Sequence, residues 1–539
     1  MSFFKQKTRK LKPIKSTNQS TNESEMEDAK EASSLIDKLL SKNIANIKAA
    51  YGNSSDLGIR QMKSEKGFVA CIAYIDGLVD KKVIEGILED WMYKLDNLES
   101  GADGLTDEEM VKLIQNSFLP FGEIGIIHTN HQMESAILNG EALLIMDGYS
   151  LGIQINTVGF KGRGVSESTT ESVIRGPKEA FTETIRTNTA MVRRKIKDTS
   201  FRVEEFQVGR ITKTVVSVVH LSGIANEKIV EEVRQRIQRI DIDSVLESSY
   251  IEELIEDETY TPFPTVFNTE RPDVVAAGLL EGKVAIFIDG TPFVLIVPAL
   301  FTQFFQSAED YYQRWDIASM LRVLRVIAFF ISILGPSLYI ALTNFHQEML
   351  PSTLLIDLAA QREGVPFPAV IEALIMEVTL EILREAGVRL PKTIGQTISI
   401  VGALVIGQTA VEAGIVSAAM VIVVSLTAIS NFILPSFSMA ISVRIIRFGF
   451  IIFAATFGLY GITLGLFILS LHLCSIRSFG VPYMTPIAPY VKEDQKDTLW
   501  RKPTFKRFTR PRLVNGGNIW RESEQTARNV QPGKRSEET

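Results

Sequence analysis

Apolar positions alternate between two regimes along the chain. Up to about residue 305 they come in short runs of strand and helix length, and beyond it they fuse into long uncharged stretches. From Ser33 a helical period begins. FVACIAYIDG (68–77) then reads as a buried strand and KKVIEGILEDWMYKL as a helix, and EIGIIH (123–128), ALLIMDG (142–148) and SLGIQIN (150–156) read as further strands, the last two turning at Asp147-Gly148. This is the pattern of an α/β domain.

The same pattern recurs. AYIDGLVDKKVIE (73–85) aligns without gaps on VHLSGIANEKIVE (219–231), and NGEALLIMDGYSLGIQI (139–155) aligns on EGKVAIFIDGTPFVLIV (281–297). Both pairs keep Gly or Asp-Gly at the turns (Gly77/Gly223, Asp147/Asp289, Gly148/Gly290), as an internal duplication would. The repeat also assigns 284–298 to a soluble hairpin, although 284–305 is apolar enough to imitate a membrane span. A span there would hold Asp289 and Pro292 near its middle. Between the copies, Gly176-Pro177 predicts the start of a helix that ends on Arg193, Arg194 and Lys195. It reads either as a solvated connecting helix matched to its dipole, or as a basic surface for lipid headgroups, phosphate or an acidic partner.

Uncharged runs follow at 326–347, 393–411, 413–443 and 448–476. About 20 apolar residues cross a bilayer as a helix, so the second half reads as a polytopic membrane domain. Within it, 346–392 is too charged for a lipid-facing span and is divided by Pro366 and Pro368. Glu377, Glu381 and Glu385 lie there at four-residue spacing, with Glu372 turned away from them. The row serves either a water-filled cation path or the wet face of an interfacial helix. Ala403 with Gly407, and Ala410 with Gly414 and Ala418, form small-residue stripes suited to close helix packing; Gln408 and Glu412 beside them are further candidates to line an ion path, with a short interfacial turn as the alternative place for Glu412.

Charge bias does not close the topology. Lys392, Arg444 and Arg447 held inside give five spans and an outer tail, while the basic stretch WRKPTFKRFTRPR (500–512) asks for an inner tail and four spans. A kinked last hairpin would reconcile the two. The resulting division is a polar N-terminal tail (1–34), a first α/β subdomain (35–160), a connecting basic helix (161–200), a second α/β subdomain (201–305), a helical membrane domain (306–490) and a basic polar C-terminal tail (491–539).

Composition adds exclusions. A net charge of −6 argues against a general nucleic-acid binder, and two cysteines, Cys71 and Cys474, offer no disulfide framework or thiolate metal site. The N-terminal tail is basic but has no apolar core of signal-peptide length, which places the N-terminal half on the cytoplasmic side. No phosphate-binding loop, dinucleotide fingerprint, HExxH or GxSxG motif occurs, so the chain does not read as an enzyme and needs no cofactor.

GNSSDL (52–57), VIRGPKEAFTETIRTNTAMVRRKIKD (173–198), NTERPDVVAAGLLEGKVAIFIDGTPFVLIVPALF (268–301) and FHQEMLPSTLLIDLAAQREGVPFPAVIEALIMEV (345–378) together resemble the A subunit of bacterial spore germinant receptors, the GerA family. The resemblance implies a subunit of the spore inner membrane that works with a permease-like B subunit and a lipoprotein C subunit. It further implies homo-oligomers around a conduit for monovalent cations, opened by a nutrient germinant, with the tandem subdomains coupling neighbouring protomers. Arg175, Arg186, Arg193, Arg194 and Arg271 are the candidate coupling contacts. The rival readings are a non-conducting membrane scaffold, and a related spore membrane protein tied to dipicolinic-acid transport.

Overall fold

The computed structural model describes residues 35–64, 68–96, 124–159, 168, 170–389 and 407–521. They fall into two units, one of residues 1–162 with 197–200 and one of 163–196 with 201–539.

The first unit opens with helix α1 (Leu40–Tyr51), followed by strands β1 (Leu57–Lys63) and β2 (Val69–Ile75) and helix α2 (Lys81–Asp96). After β3 (Ile124–Ile127) and α3 (Asn130–Leu138), β4 (Ala142–Met146) and β5 (Gly152–Ile155) close it. The sheet has the order β1-β2-β4-β5-β3, every neighbour antiparallel. The uninterrupted apolar strands β2 and β4 pair in its middle, Cys71 opposite Ile145 and Ile72 opposite Leu144, all fully buried. The more polar β1 lies at the edge.

The second unit begins with α4 (Ile185–Lys195), then β6 (Phe201–Val208), β7 (Thr214–Leu221), α5 (Glu227–Gln238) and α6 (Ser248–Ile255). It continues through β8 (Phe267–Thr269), α7 (Pro272–Leu280), β9 (Val284–Ile288) and β10 (Val294–Val297). Its sheet order is β6-β7-β9-β10-β8, strand for strand the order of the first. Residues 284–297 are two paired antiparallel strands and not a long helix.

The likeness extends to hydrogen bonds that no alignment of apolar runs reveals. Asp147 Oδ1 accepts the Leu40 N–H at 2.9 Å at the start of α1, and Asp289 Oδ1 accepts the Ile185 N–H at 3.1 Å at the start of α4. Asn43 holds both backbone groups of Asp37, and Asn188 holds both of Thr182. Gly148 and Gly290 follow the capping aspartates with φ of +88° and +91°, which glycine adopts without steric cost.

These bonds correct the expected helix start. Gly176-Pro177 initiates nothing; residues 176–184 are irregular, and the helix begins at Ile185, where the Asp289 carboxylate meets its free amides. Nor is α4 a solvated connector. It packs on α7 and β9, and Ile185, Met191 and Val192 are buried.

Beyond β10, a 3₁₀ turn (Phe301–Phe305) leads to α8 (Trp315–Asn344), α9 (Ser352–Glu363), α10 (Ala369–Arg389), α11 (Ala418–Phe432) and α12 (Phe437–Ser475). Among the described residues, α8 and α12 are long and apolar enough to cross a membrane. Helix α12 is broken at Gly458 (φ 60°, ψ −138°), against Phe345 and His346 at the end of α8. Its two arms fold onto each other, because a methyl group at Gly465 would meet the Phe450 ring at 2.9 Å, whereas 15 residues of straight helix would separate them by roughly 22 Å.

After α12 the chain returns to the second sheet. Ser478 Oγ donates to Thr265 O at 2.7 Å and accepts the Ala299 N–H at 3.0 Å, Phe301 donates its N–H to Tyr483 O at 2.9 Å, and Gly516 donates to Ile224 O at 2.7 Å. The described part of the expected polar tail is therefore an integral layer of the second unit, and Val481 and Val514 join its hydrophobic core.

Candidate functional site

Helix α10 starts immediately after the Pro366 to Pro368 break and carries the carboxylate row through the helical bundle. Each member has an arginine partner. Glu377 accepts from Arg447 Nη1 at 2.6 Å with both side chains buried, and the same guanidinium donates to Ser332 O at 2.6 Å and to Ser332 Oγ at 2.9 Å, joining α8, α10 and α12. Glu381 lies 2.6 Å from Arg444 Nη1 and 2.8 Å from Arg384 Nη1. Glu385 pairs with Arg389 at 2.6 Å on an exposed face.

Glu372 is turned away from the row, and it has its own task. Fully buried, it accepts the Ser417 N–H at 2.9 Å and the Ser417 hydroxyl at 2.8 Å at the start of α11, with Arg362 of α9 at 3.5 Å. A carboxylate at a helix N-terminus satisfies free amides and suits the helix dipole. The row is thus a ladder of compensated charges within one chain. A buried carboxylate tied to a buried guanidinium is closed to a passing cation, so Glu377 serves to fix the helices, while Glu381 and Glu385, though also paired, retain exposed surface.

The other sequence candidates lie elsewhere. Gln408 donates to Glu412 at 2.9 Å across one exposed helical turn. Ala403 lies outside the described residues. A methyl group on Gly407 would sit 3.7 Å from Val421 of α11, an ordinary packing distance. Ala410, Gly414 and Ala418 do not form one helical stripe, because the chain turns at Gly414 (φ +66°) and α11 starts only at Ala418.

The coupling arginines divide in two. Arg193 and Arg271 are buried within the second unit. The Arg193 guanidinium lies 4.5 Å from the Phe201 ring centroid and donates to Phe201 O, while Arg271 donates to Glu171 O at 3.1 Å and Pro177 O at 2.8 Å and pairs with Asp273. Neither is placed to meet another subunit. Arg175 is exposed, Arg186 pairs with Glu205 at 2.7 Å, and Arg194 stands 3.8 Å from Glu179.

A second charged cluster, unseen in the sequence, fastens the start of α8. Asp310 is completely buried and accepts from Arg322 Nε at 2.8 Å and from Arg325 Nη1 at 2.7 Å. Asp497 of the returning segment accepts from Arg322 at 2.7 Å and Arg507 at 2.6 Å, and Arg501 donates to Gln313 O at 2.9 Å. Arg322 and Arg325 are the pins between α8 and the segments on either side of it. Among the described residues, no cluster of three or more His, Cys, Asp or Glu side chains is placed to hold a metal ion.

An α/β sheet unit joined to a bundle of long apolar helices stitched by buried ion pairs defines the class: a two-part protein, one half water-soluble in character and the other fit to enter a membrane. The chain belongs to the Bacillus/Clostridium GerA spore germination protein family, whose family model matches residues 45–513. It is 51% identical over 488 residues to spore germination protein KA of Bacillus subtilis (strain 168), covering 90% of this chain and 88% of that one. It is 44% identical over 480 residues to the uncharacterized membrane protein YfkQ of the same organism, covering 89% and 92%. The crystal structure of the N-terminal domain of the A subunit of the Bacillus megaterium spore germinant receptor GerK3 matches at 43% identity, covering 50% of this chain and 98% of that one, with a TM-score of 0.39.

Proposed function

We propose that this protein is the A subunit of a germinant receptor of the spore inner membrane, assembling with further copies and with permease-like B and lipoprotein C subunits into a germinant-gated conduit for monovalent cations. The observation that carries this reading is the family match, which runs through both the α/β units and the helical half. The charge ladder supports a refinement. Because the Glu377 and Arg447 charges cancel inside one chain, the passage lies between copies, and Glu381 and Glu385, still partly exposed, are its candidate carboxylates.

The reading includes six membrane crossings. Helix α8 leaves the second α/β unit at Asp310 and reaches its far end at Gly458. In α10, Glu377 and Glu381 pair with Arg447 and Arg444 in reverse order, so α10 runs antiparallel to the first arm of α12 and returns toward the soluble side. Ser417 meets Glu372 and Phe432 meets Arg384, so α11 runs the same way as α10. The uncharged run 393–411, most of which lies outside the described residues, is read from its sequence alone as the crossing between them. With the two arms of α12 the count is even, which leaves the returning segment on the side of the second sheet. The kinked last hairpin thus removes the conflict between the charges.

The shared strand order and the paired aspartate caps support reading the two α/β halves as an internal duplication. A test of the conduit compares potassium release from germinating spores that carry Glu381→Gln, Glu385→Gln or both. Reduced or less selective release at normal receptor levels supports the reading, and unchanged release removes these two residues from the path.

A further inference from the structure

Resting on the membrane reading above, we infer that the rim where α8 and α12 meet the second α/β unit is a docking surface for phospholipid headgroups, with Trp500 seated among them and Lys502 and Arg477 on their phosphates. Three chain segments bring exposed aromatic rings to the soluble-side ends of these helices. Trp315, 49% exposed, is the first residue of α8. Trp500, 61% exposed beside the exposed Leu499, is held there because Arg501 donates its N–H to Ser319 Oγ at 3.1 Å in the second turn of α8. Tyr260, 95% exposed, adjoins Thr261, whose hydroxyl lies 2.9 Å from His472 Nε2 in the last turn of α12. The soluble-side ends of the first and last long helices are thereby ringed by amphipathic rings, the residues that concentrate at membrane interfaces.

The surface continues directly into the helices. Below Trp315, Ile317, Met320 and Leu324 expose apolar side chains along α8, a face suited to acyl chains. The charges on the rim fit an anionic partner. Arg314 is neutralised by Asp316 at 2.9 Å, but Lys502, next to Arg501, and Arg477, two residues past the end of α12, are exposed, and neither lies within ion-pair distance of a carboxylate among the described residues. A water-facing surface gains nothing from a bare tryptophan, leucine and tyrosine; against a headgroup layer, the rings bury apolar area and the cations gain phosphate oxygens. The buried Arg322, Arg501 and Arg507 hold this segment rigid, so the rim is shaped before lipid arrives.

Full-length protein carrying Trp91→Phe, Trp315→Phe and Trp520→Phe, with Trp500 retained, is reconstituted into nanodiscs of phosphatidylcholine and phosphatidylglycerol. Either lipid is brominated near the top of its acyl chain. Brominated phosphatidylglycerol is expected to quench Trp500 more than brominated phosphatidylcholine, and removing each cation with Lys502→Gln or Arg477→Gln should weaken that preference about fivefold. A control adds Trp500→Phe and places the sole tryptophan by Phe330→Trp, on the exposed middle of α8. If the control is quenched while Trp500 is not, the rim inference falls and the membrane reading stands. If Trp500 is quenched equally by both lipids, the assignment of Lys502 and Arg477 to phosphate falls. If neither tryptophan is quenched, the membrane reading fails as well.

Discussion

At the scale of single residues, buried charge is the dominant cost and pairing the response to it. Removing one partner of a buried ion pair leaves an uncompensated charge and costs about 3–5 kcal/mol, whereas replacing both by apolar groups is often close to neutral. Arg447→Met should therefore lower the thermal midpoint of the detergent-purified protein strongly, and adding Glu377→Leu should recover most of the loss; equal loss in both variants would contradict the pairing. In the second α/β unit, two glutamates respond oppositely to pH. Burial pushes Glu252 up to about 7. Between the ordinary glutamate value of about 4.3 and 7 the native state therefore holds a proton that the unfolded chain has released, and Glu252 lowers stability as pH rises through that window. Glu247 is also partly buried, but hydrogen bonds from Ser248, the Ser249 N–H and Thr291 outweigh burial and hold it down at about 2. Its contribution is present above the ordinary value and lost as pH falls toward 2. Hydrogen exchange of β9 amides should become slower in Glu252→Gln than in the parent at pH 8 and converge with it near pH 4, while Glu247→Gln should be most damaging at neutral pH. The ladder itself was half legible in the sequence: the four-residue spacing of the acids and the nearby Arg384 and Arg389 could be read, but Arg444 and Arg447 lie 63 and 70 residues downstream of Glu381 and Glu377, and only folding brings them together.

At the scale of elements, local signals were reliable where a turn required a particular residue. The Asp-Gly pairs placed both hairpins because glycine alone takes positive φ there without strain. They gave no hint that the same aspartates reach back to cap α1 and α4, a contact across 107 and 104 residues. Asp147→Ala and Asp289→Ala should each cost about 1 kcal/mol, as loss of a helix cap does, read by denaturant unfolding of the full chain. The start of α4 was misread because Gly-Pro ahead of a periodic stretch imitates a helix N-terminus, whereas the free amides found their acceptor eight residues later, at Ile185. The break in α12 was illegible for another reason: the run from 448 to 476 holds no charge or proline to mark it, and Gly458 is one of several glycines there. Packing separates them. Gly465→Leu would collide with Phe450 and should cost about 1–3 kcal/mol by overpacking, whereas Gly449→Leu faces open space and should be neutral. Equal thermal midpoints for the two would argue that the arms do not fold together.

At the scale of the whole molecule, the returning C-terminal segment matters most, because it ties the end of the last helix to the sheet from which the first helix departs. On the proposed membrane reading an even number of crossings follows, and Cys474 reports it. This cysteine is exposed at the end of α12, while Cys71 is buried, its thiol pushed up to about 12. A membrane-impermeant maleimide should label Cys474 only from the side that holds the second α/β unit and should leave Cys71 untouched; labelling from the opposite side would require an odd count. Run length made the two-part architecture legible, but not the places of Arg444 and Arg447, which read as loop charges and are buried or half-buried partners of α10. The measurement closest to the central claim is potassium flux from vesicles holding the complete receptor when the nutrient that germinates its spores is added. Nutrient-dependent flux that falls with Glu381→Gln and Glu385→Gln is the predicted result; assembled receptor that binds nutrient and passes no cation would contradict it.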